Sequence, residues 1–250
     1  MTYLKIDIYK VFFAKPAVDL MAGTAIMSSK EIISSIHELY DRFRIPENLQ
    51  MHMIMAASAA ELICAAWNGP AIQKDDIVAV LLIHDLGNIV KFHLESEEGV
   101  SYLFPDDRKK IDFWREVKAD VVSKYGTNDN KVTIKMTKEL GIAPKLQSLL
   151  EELNTVEGAG VYTYSQDNWA LKICLYTDWR TAPQGIISVK ESLDDLLIRY
   201  KHNKSTTTRV TRIFPTMIEL ENQIFENVSL KPEQIDNEAI EPYVLRFKGK

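Results

Sequence analysis

Cysteine is nearly absent. Cys64 and Cys174 are the only two in 250 residues, with no CxxC pair and no disulfide-type spacing, so no disulfide framework organises the fold. Both read as small core side chains, and their scarcity fits a reducing compartment. Glycine and proline are also sparse, at 10 and 9 residues, which argues against disorder and fits an ordinary globular chain. Long uninterrupted apolar runs are missing as well. The N-terminal stretch carries Lys5, Asp7, Lys10 and Lys15 among its apolar residues, which breaks up both a spanning segment and a signal-peptide core. Positive charge is not in excess: a net charge of −5 provides no electrostatic footprint for double-stranded nucleic acid. These absences lead us to expect a cytoplasmic globular protein with no membrane partner, and they weigh against a nucleic acid without excluding one.

What is present is a series of helical signals over an ordinary globular composition, 46% apolar and 26% charged. Residues 1–28 read as an N-terminal extension; Leu4, Ile6 and Ile8 alternate with the period of a strand, but no partner strand is legible. From Ser29 onward, Ile32, Ile33, Ile36, Leu39, Tyr40 and Phe43 fall on one helical stripe behind the candidate caps Ser28 and Ser29. Pro46-Glu47 opens a second helix, which Asn68-Gly69-Pro70 closes. A third is predicted from Asp76 to Phe92. After a loop over 94–105, helices are predicted over 106–125, 128–140 and 144–157, with Gly126, Gly141 and Gly158 at their C-terminal ends. Others follow over 167–179, 188–202 and about 206–228, with a turn at Pro183-Gln184-Gly185. The pattern predicts an all-α bundle, its main domain spanning 29–205 and a C-terminal helix and tail, 206–250, packing on it.

The third helix is the centre of the pattern. Val78, Val80, Leu81, Leu82, Ile83, Leu86, Ile89 and Val90 leave it almost no polar face, yet His84-Asp85 interrupts it. A carboxylate buried there without a partner would cost several kcal/mol or take up a proton, so it requires a hydrogen-bonded couple, a salt bridge or a metal ion. Two further polar residues lie on apolar faces. His52 shares its helix face with Ala56, Ala59 and Ile63, small enough to let another helix approach; Asp178 lies with Leu171, Cys174 and Leu175. Singly, each has an ordinary reading: a satisfied core histidine for His52, an ion pair with Arg180 for Asp178. Together, two imidazoles and two carboxylates make an N2O2 set suited to a borderline divalent ion with open octahedral positions.

The order His52 … His84-Asp85 … Asp178, the HDLGN turn at 84–88, and the stretches YTDWR and ISVKESLDDLLIRY between 176 and 200 resemble the HD-domain superfamily of metal-dependent phosphohydrolases over roughly residues 30–205. The resemblance implies a helical HD-type bundle in which His52, His84, Asp85 and Asp178 hold a divalent ion, one of Mn, Fe, Co, Ni or Zn. It implies hydrolysis of a small-molecule phosphate ester, a nucleotide-like metabolite, by a metal-activated water, with Asp85 or Asp178 able to orient the water or take its proton. Superfamily members with two metals add histidines between the HD pair and the last aspartate; only His93 lies there, so one ion is expected and a two-iron oxygenase is disfavoured. The extended GYP motif of the cyclic-dinucleotide branch is missing. Asn88 stands where several members carry lysine, so Lys91, seven residues after His84 on a continuous helix, is the substitute phosphate contact, with Arg180 a second and Arg115 and Lys118 weaker candidates. The alternative function is a non-catalytic sensor or scaffold module that binds metal and nucleotide. The pattern specifies neither the base nor the sugar of a substrate, nor the oligomeric state.

Overall fold

A computed structural model describes residues 26–159 and 167–249. Among the described residues thirteen α-helices and one two-stranded hairpin are present, so the fold is all-α as expected. The strand-like alternation at Leu4, Ile6 and Ile8 lies outside the described residues. Met27 pairs with the segment 141–143: its N–H donates to the Gly141 carbonyl and Ala143 N–H donates to the Met27 carbonyl, both at 2.9 Å.

The first predicted helix is two. Ser28 caps α1 (Ser29–Ser34) in a reciprocal capping box with Glu31, which satisfies the helix's first free N–H groups. At Ser35 the backbone leaves helical geometry, and α2 (Ile36–Phe43) starts again. The hydroxyls of Ser34 and Ser35 both donate to the Glu31 carbonyl, at 3.1 and 2.6 Å, a local competition with the helical ladder that favours such a break. α3 (Glu47–Ala65) buries Ala56, Ala57, Ala59 and Ala60, and these small side chains let α4 (Lys74–Ile83) lie close against it. α4 is buried from Ile77 through Ile83 without interruption, as an all-round apolar helix must be.

The predicted continuation of this helix to Phe92 is not observed. α4 stops at Ile83, His84 to Gly87 form a turn, and Asn88–Lys91 is one turn of 3-10 helix. The reason lies in the packing of Gly87, whose N–H donates to Thr133 Oγ1 at 2.9 Å. A Cβ on Gly87 would stand 2.6 Å from both Asp129 O and Thr133 N. The turn is therefore pressed onto the neighbouring helix α8 (Asp129–Leu140) in a way only glycine permits.

Between the turn and α8 lie α5 (Glu97–Ser101), inside the predicted loop, then α6 (Pro105–Arg108) and α7 (Ile111–Tyr125), which divide the helix predicted over 106–125. Gly126 and Gly141 adopt positive φ, 107° and 68°, at the ends of α7 and α8; Gly141 is the left-handed cap expected there, whereas Gly126 ends its helix with an extended ψ. α9 (Pro144–Ala159) runs past Gly158. α10 (Trp169–Trp179) is buried from Leu171 to Thr177 and packs on α3 and α4. The predicted turn after it is a hairpin, β1 (Thr181–Ala182) with β2 (Gly185–Ile186), antiparallel in the register Thr181↔Ile186 and Ala182↔Gly185. α11 (Val189–Arg199) and α12 (Lys204–Phe225) pair with each other, and α12 also covers α10. The tail contains a helix the periodicity did not reveal, α13 (Asn237–Phe247), docked on α3. Arg246 donates to the buried Glu61 of α3, which Lys74 also meets at 2.8 Å.

Candidate metal centre

His52 is in the second turn of α3, His84 and Asp85 follow directly on the end of α4, and Asp178 is in the last turn of α10. The mutual packing of these three helices brings together residues separated by more than 90 positions in the chain. Asp178 Oδ1 lies 3.0 Å from His52 Nε2 and 3.1 Å from His84 Nε2. Asp85 reaches the same two nitrogens with its two oxygens, at 3.6 and 3.7 Å. The imidazole centroids are 5.4 Å apart and the rings are tilted by 47°. One ligand atom each from His52, His84 and Asp85 fits within 4.8 Å. Ligand atoms about 2.1 Å from a common ion stand about 3.0–3.4 Å apart at octahedral or tetrahedral angles, so the set is close to coordinating dimensions.

The tautomer of His84 is fixed by its backbone partner. Its Nδ1 lies 2.7 Å from the Leu81 carbonyl, an acceptor, so Nδ1 carries the proton and the Nε2 of a neutral ring presents a lone pair. That lone pair faces the carboxylate of Asp178. Two acceptors 3.1 Å apart need a cation or a proton between them. In the metal-free protein a proton fills this role: burial disfavours the imidazolium of His84, but the charges of Asp85 and Asp178 outweigh it and raise the group to about 10. Burial alone would raise Asp178, yet His84 and His52 hold it far below the usual carboxylate range. A divalent ion would replace the proton and satisfy the same carboxylates. The His84 side chain is only 4% exposed, whereas His52, Asp85 and Asp178 are 20–24% exposed, so His84 forms the closed side of the cluster and the other three side chains reach the surface in part.

The structure places the other candidates differently. Arg180 is buried; its Nε donates to the Ile187 carbonyl at 2.5 Å, and its terminal nitrogens donate at 2.9 Å to the Tyr176 hydroxyl and the carbonyls of Pro232 and Ile235. It clamps the end of α10 to the segment that leads into α13. Lys91, on the 3-10 turn, pairs with Asp129 at 3.0 Å, and this pairing outweighs burial to hold Asp129 below its ordinary range. Because the helix breaks at His84, counting seven residues along a continuous helix does not place Lys91 or Asn88 relative to the cluster. Asn88 is buried. Arg115 and Lys118 anchor the carbonyls of Leu94 and Phe92. His37, His93 and His202 are exposed and stand outside the cluster. Both cysteines are free, and burial pushes the Cys64 thiol up to about 12 and Cys174 well above its usual range, consistent with inert core side chains.

Among the described residues, no helix is long and apolar enough to cross a membrane. No family model, curated protein or solved structure matches the chain.

Proposed function

We propose that the chain is an HD-type metal-dependent phosphohydrolase that takes one divalent ion and cleaves a phosphate ester of a nucleotide-like metabolite. The observation that carries this reading is the convergence of the His52 and His84 Nε2 atoms on Asp178 Oδ1, with Asp85 beside them and the His84 lone pair fixed by Leu81. When bound, such an ion polarises a phosphoryl oxygen and lowers the pKa of a coordinated water toward neutrality. The chain's own residues supply the rest. Leu81 orients His84, Asp178 joins both imidazoles, and Asp85, the more loosely held carboxylate, accepts the proton of the attacking water. Lys91 is the candidate contact for the substrate phosphate, which would take the place of the Asp129 carboxylate as its counter-charge. Arg180 serves as a positioning residue that holds the end of α10, two residues beyond Asp178.

Metal analysis by inductively coupled plasma mass spectrometry after reconstitution with Mn, Co, Ni or Zn tests the centre. Wild type should retain about one ion per chain, and His84→Ala and Asp178→Ala should lose it. Turnover of bis(p-nitrophenyl) phosphate and of nucleoside phosphates should disappear in the same variants. Tight nucleotide binding without turnover in any metal would instead support the sensor module.

A further inference from the structure

Among the described residues, three buried side-chain atoms have no hydrogen-bond partner: Asn48 Oδ1, Trp114 Nε1 and Gln147 Oε1. Of these residues, only Asn48 stands on a helix that carries a residue of the metal cluster. It precedes His52 by one helical turn, at i−4, and so shares its face of α3. Side chains on a helix lean toward its N-terminus, so position 52 is directed toward the turn that contains Asn48.

Local structure does not account for this amide. The N-cap of α3 is Pro46, and no side chain caps the helix from that position. The neighbours of Asn48 are satisfied without it: Glu47 N–H donates to Asp107 Oδ2 at 2.8 Å, and the Gln50 amide donates to the Ile45 carbonyl at 2.7 Å. A buried amide oxygen is rarely left unpaired, because its desolvation is then uncompensated. Such an oxygen only accepts, so what completes it must be an N–H or O–H donor. The Nε2 atoms of His52 and His84 are directed at Asp178.

We propose that Asn48 is a positioning residue of the metal centre, its side-chain oxygen accepting a hydrogen bond from a water in the hydration shell of the bound divalent ion on the His52 side of the cluster. The proposal rests on the metal-binding reading above. Four protein ligands leave octahedral positions to water, and water on a divalent ion is a stronger donor than bulk water. A partner that orients such a group contributes to metal affinity without touching the ion.

The experiment uses the full chain, stripped of metal and titrated with manganese chloride alone, reading the dissociation constant by calorimetry and the thermal midpoint before and after addition. Asn48→Leu removes the acceptor at similar size; Asn48→Asp keeps it. Asn48→Leu should leave the metal-free midpoint equal to or above wild type and weaken manganese about 10-fold, while Asn48→Asp binds at least as tightly as wild type. Unchanged manganese affinity in Asn48→Leu would overturn the proposal, and so would a lowered metal-free midpoint, which marks a structural role. His84→Ala is the separate control. If it binds manganese like wild type, or neither binds, the metal centre itself is wrong, a result distinct from failure of the Asn48 assignment.

Discussion

At the residue scale, the chemistry rests on how four side chains share charge. His84 has its charged form favoured from an ordinary 6.5 to about 10, so it stabilises the metal-free fold fully below the unfolded value, and that contribution is lost as pH rises through about 10. Asp178 works in the opposite sense: its carboxylate is lowered in the fold, so its contribution is present above about pH 4 and is lost as pH falls below that range. The metal-free protein should therefore show a thermal midpoint that declines from pH 7 to pH 10, and His84→Ala should flatten that decline; differential scanning fluorimetry across the range checks it. The same proton must leave His84 before a metal can take Nε2. Manganese or zinc affinity should rise about tenfold per pH unit below that pKa, with one proton released per ion bound, as calorimetry in buffers of different ionisation enthalpy would read.

At the element scale, the His84–Gly87 turn and the end of α10 set the geometry. Gly87→Ala brings a methyl group to within 2.6 Å of Asp129 O and Thr133 N, both backbone atoms of α8 that cannot rotate away. We expect a loss of about 1–3 kcal/mol in denaturant unfolding, together with weaker metal retention, because the turn that carries Asp85 must shift. Arg180→Ala leaves the carbonyls of Ile187, Pro232 and Ile235 without their donor. That should cost about 3 kcal/mol or more. Arg180→Lys should restore little of it, since an ammonium cannot reproduce the forked guanidinium. Denaturation midpoints of the two variants decide this, and a variant that stayed as stable as wild type while losing turnover would return Arg180 to a role in substrate contact.

At the scale of the whole molecule, the cluster ties α3 and the end of α4, neighbours in the chain, to the distant α10. An ion bound only by the folded state should stabilise it by mass action, about 2.7 kcal/mol at a hundred times the dissociation constant. For a chain of this size that corresponds to a midpoint raised by about 5–11 °C, abolished in Asp178→Ala and measurable by scanning calorimetry with and without manganese. The C-terminal helix participates from the outside: Arg246 reaches Glu61 on α3, and Asn237 accepts from the Ile186 N–H at 2.8 Å. α13 thereby braces α3 and the hairpin, both of which also contact α10.

Much of this was legible from local pattern. Apolar periodicity identified α3, α4 and α10 and the all-α class, and glycine positions marked the ends of α7 and α8, because period and cap chemistry are properties of a few neighbouring residues. The polar intruders His52, His84, Asp85 and Asp178 could be named because polar groups on apolar faces carry an energetic cost visible in one dimension. Their convergence on Asp178 Oδ1, the break of the helix at His84 and the engagement of Arg180 with carbonyls as far along the chain as Ile235 were decided by tertiary structure. Each depends on contacts between segments that sequence does not place side by side: α8 against Gly87, and the chain before α13 against the end of α10. The tail helix was missed for a related reason. α13 fully buries only Ile240 and Phe247, too weak a stripe to read alone, and it is held in place by Glu61 and the hairpin, partners that only the folded chain brings to it.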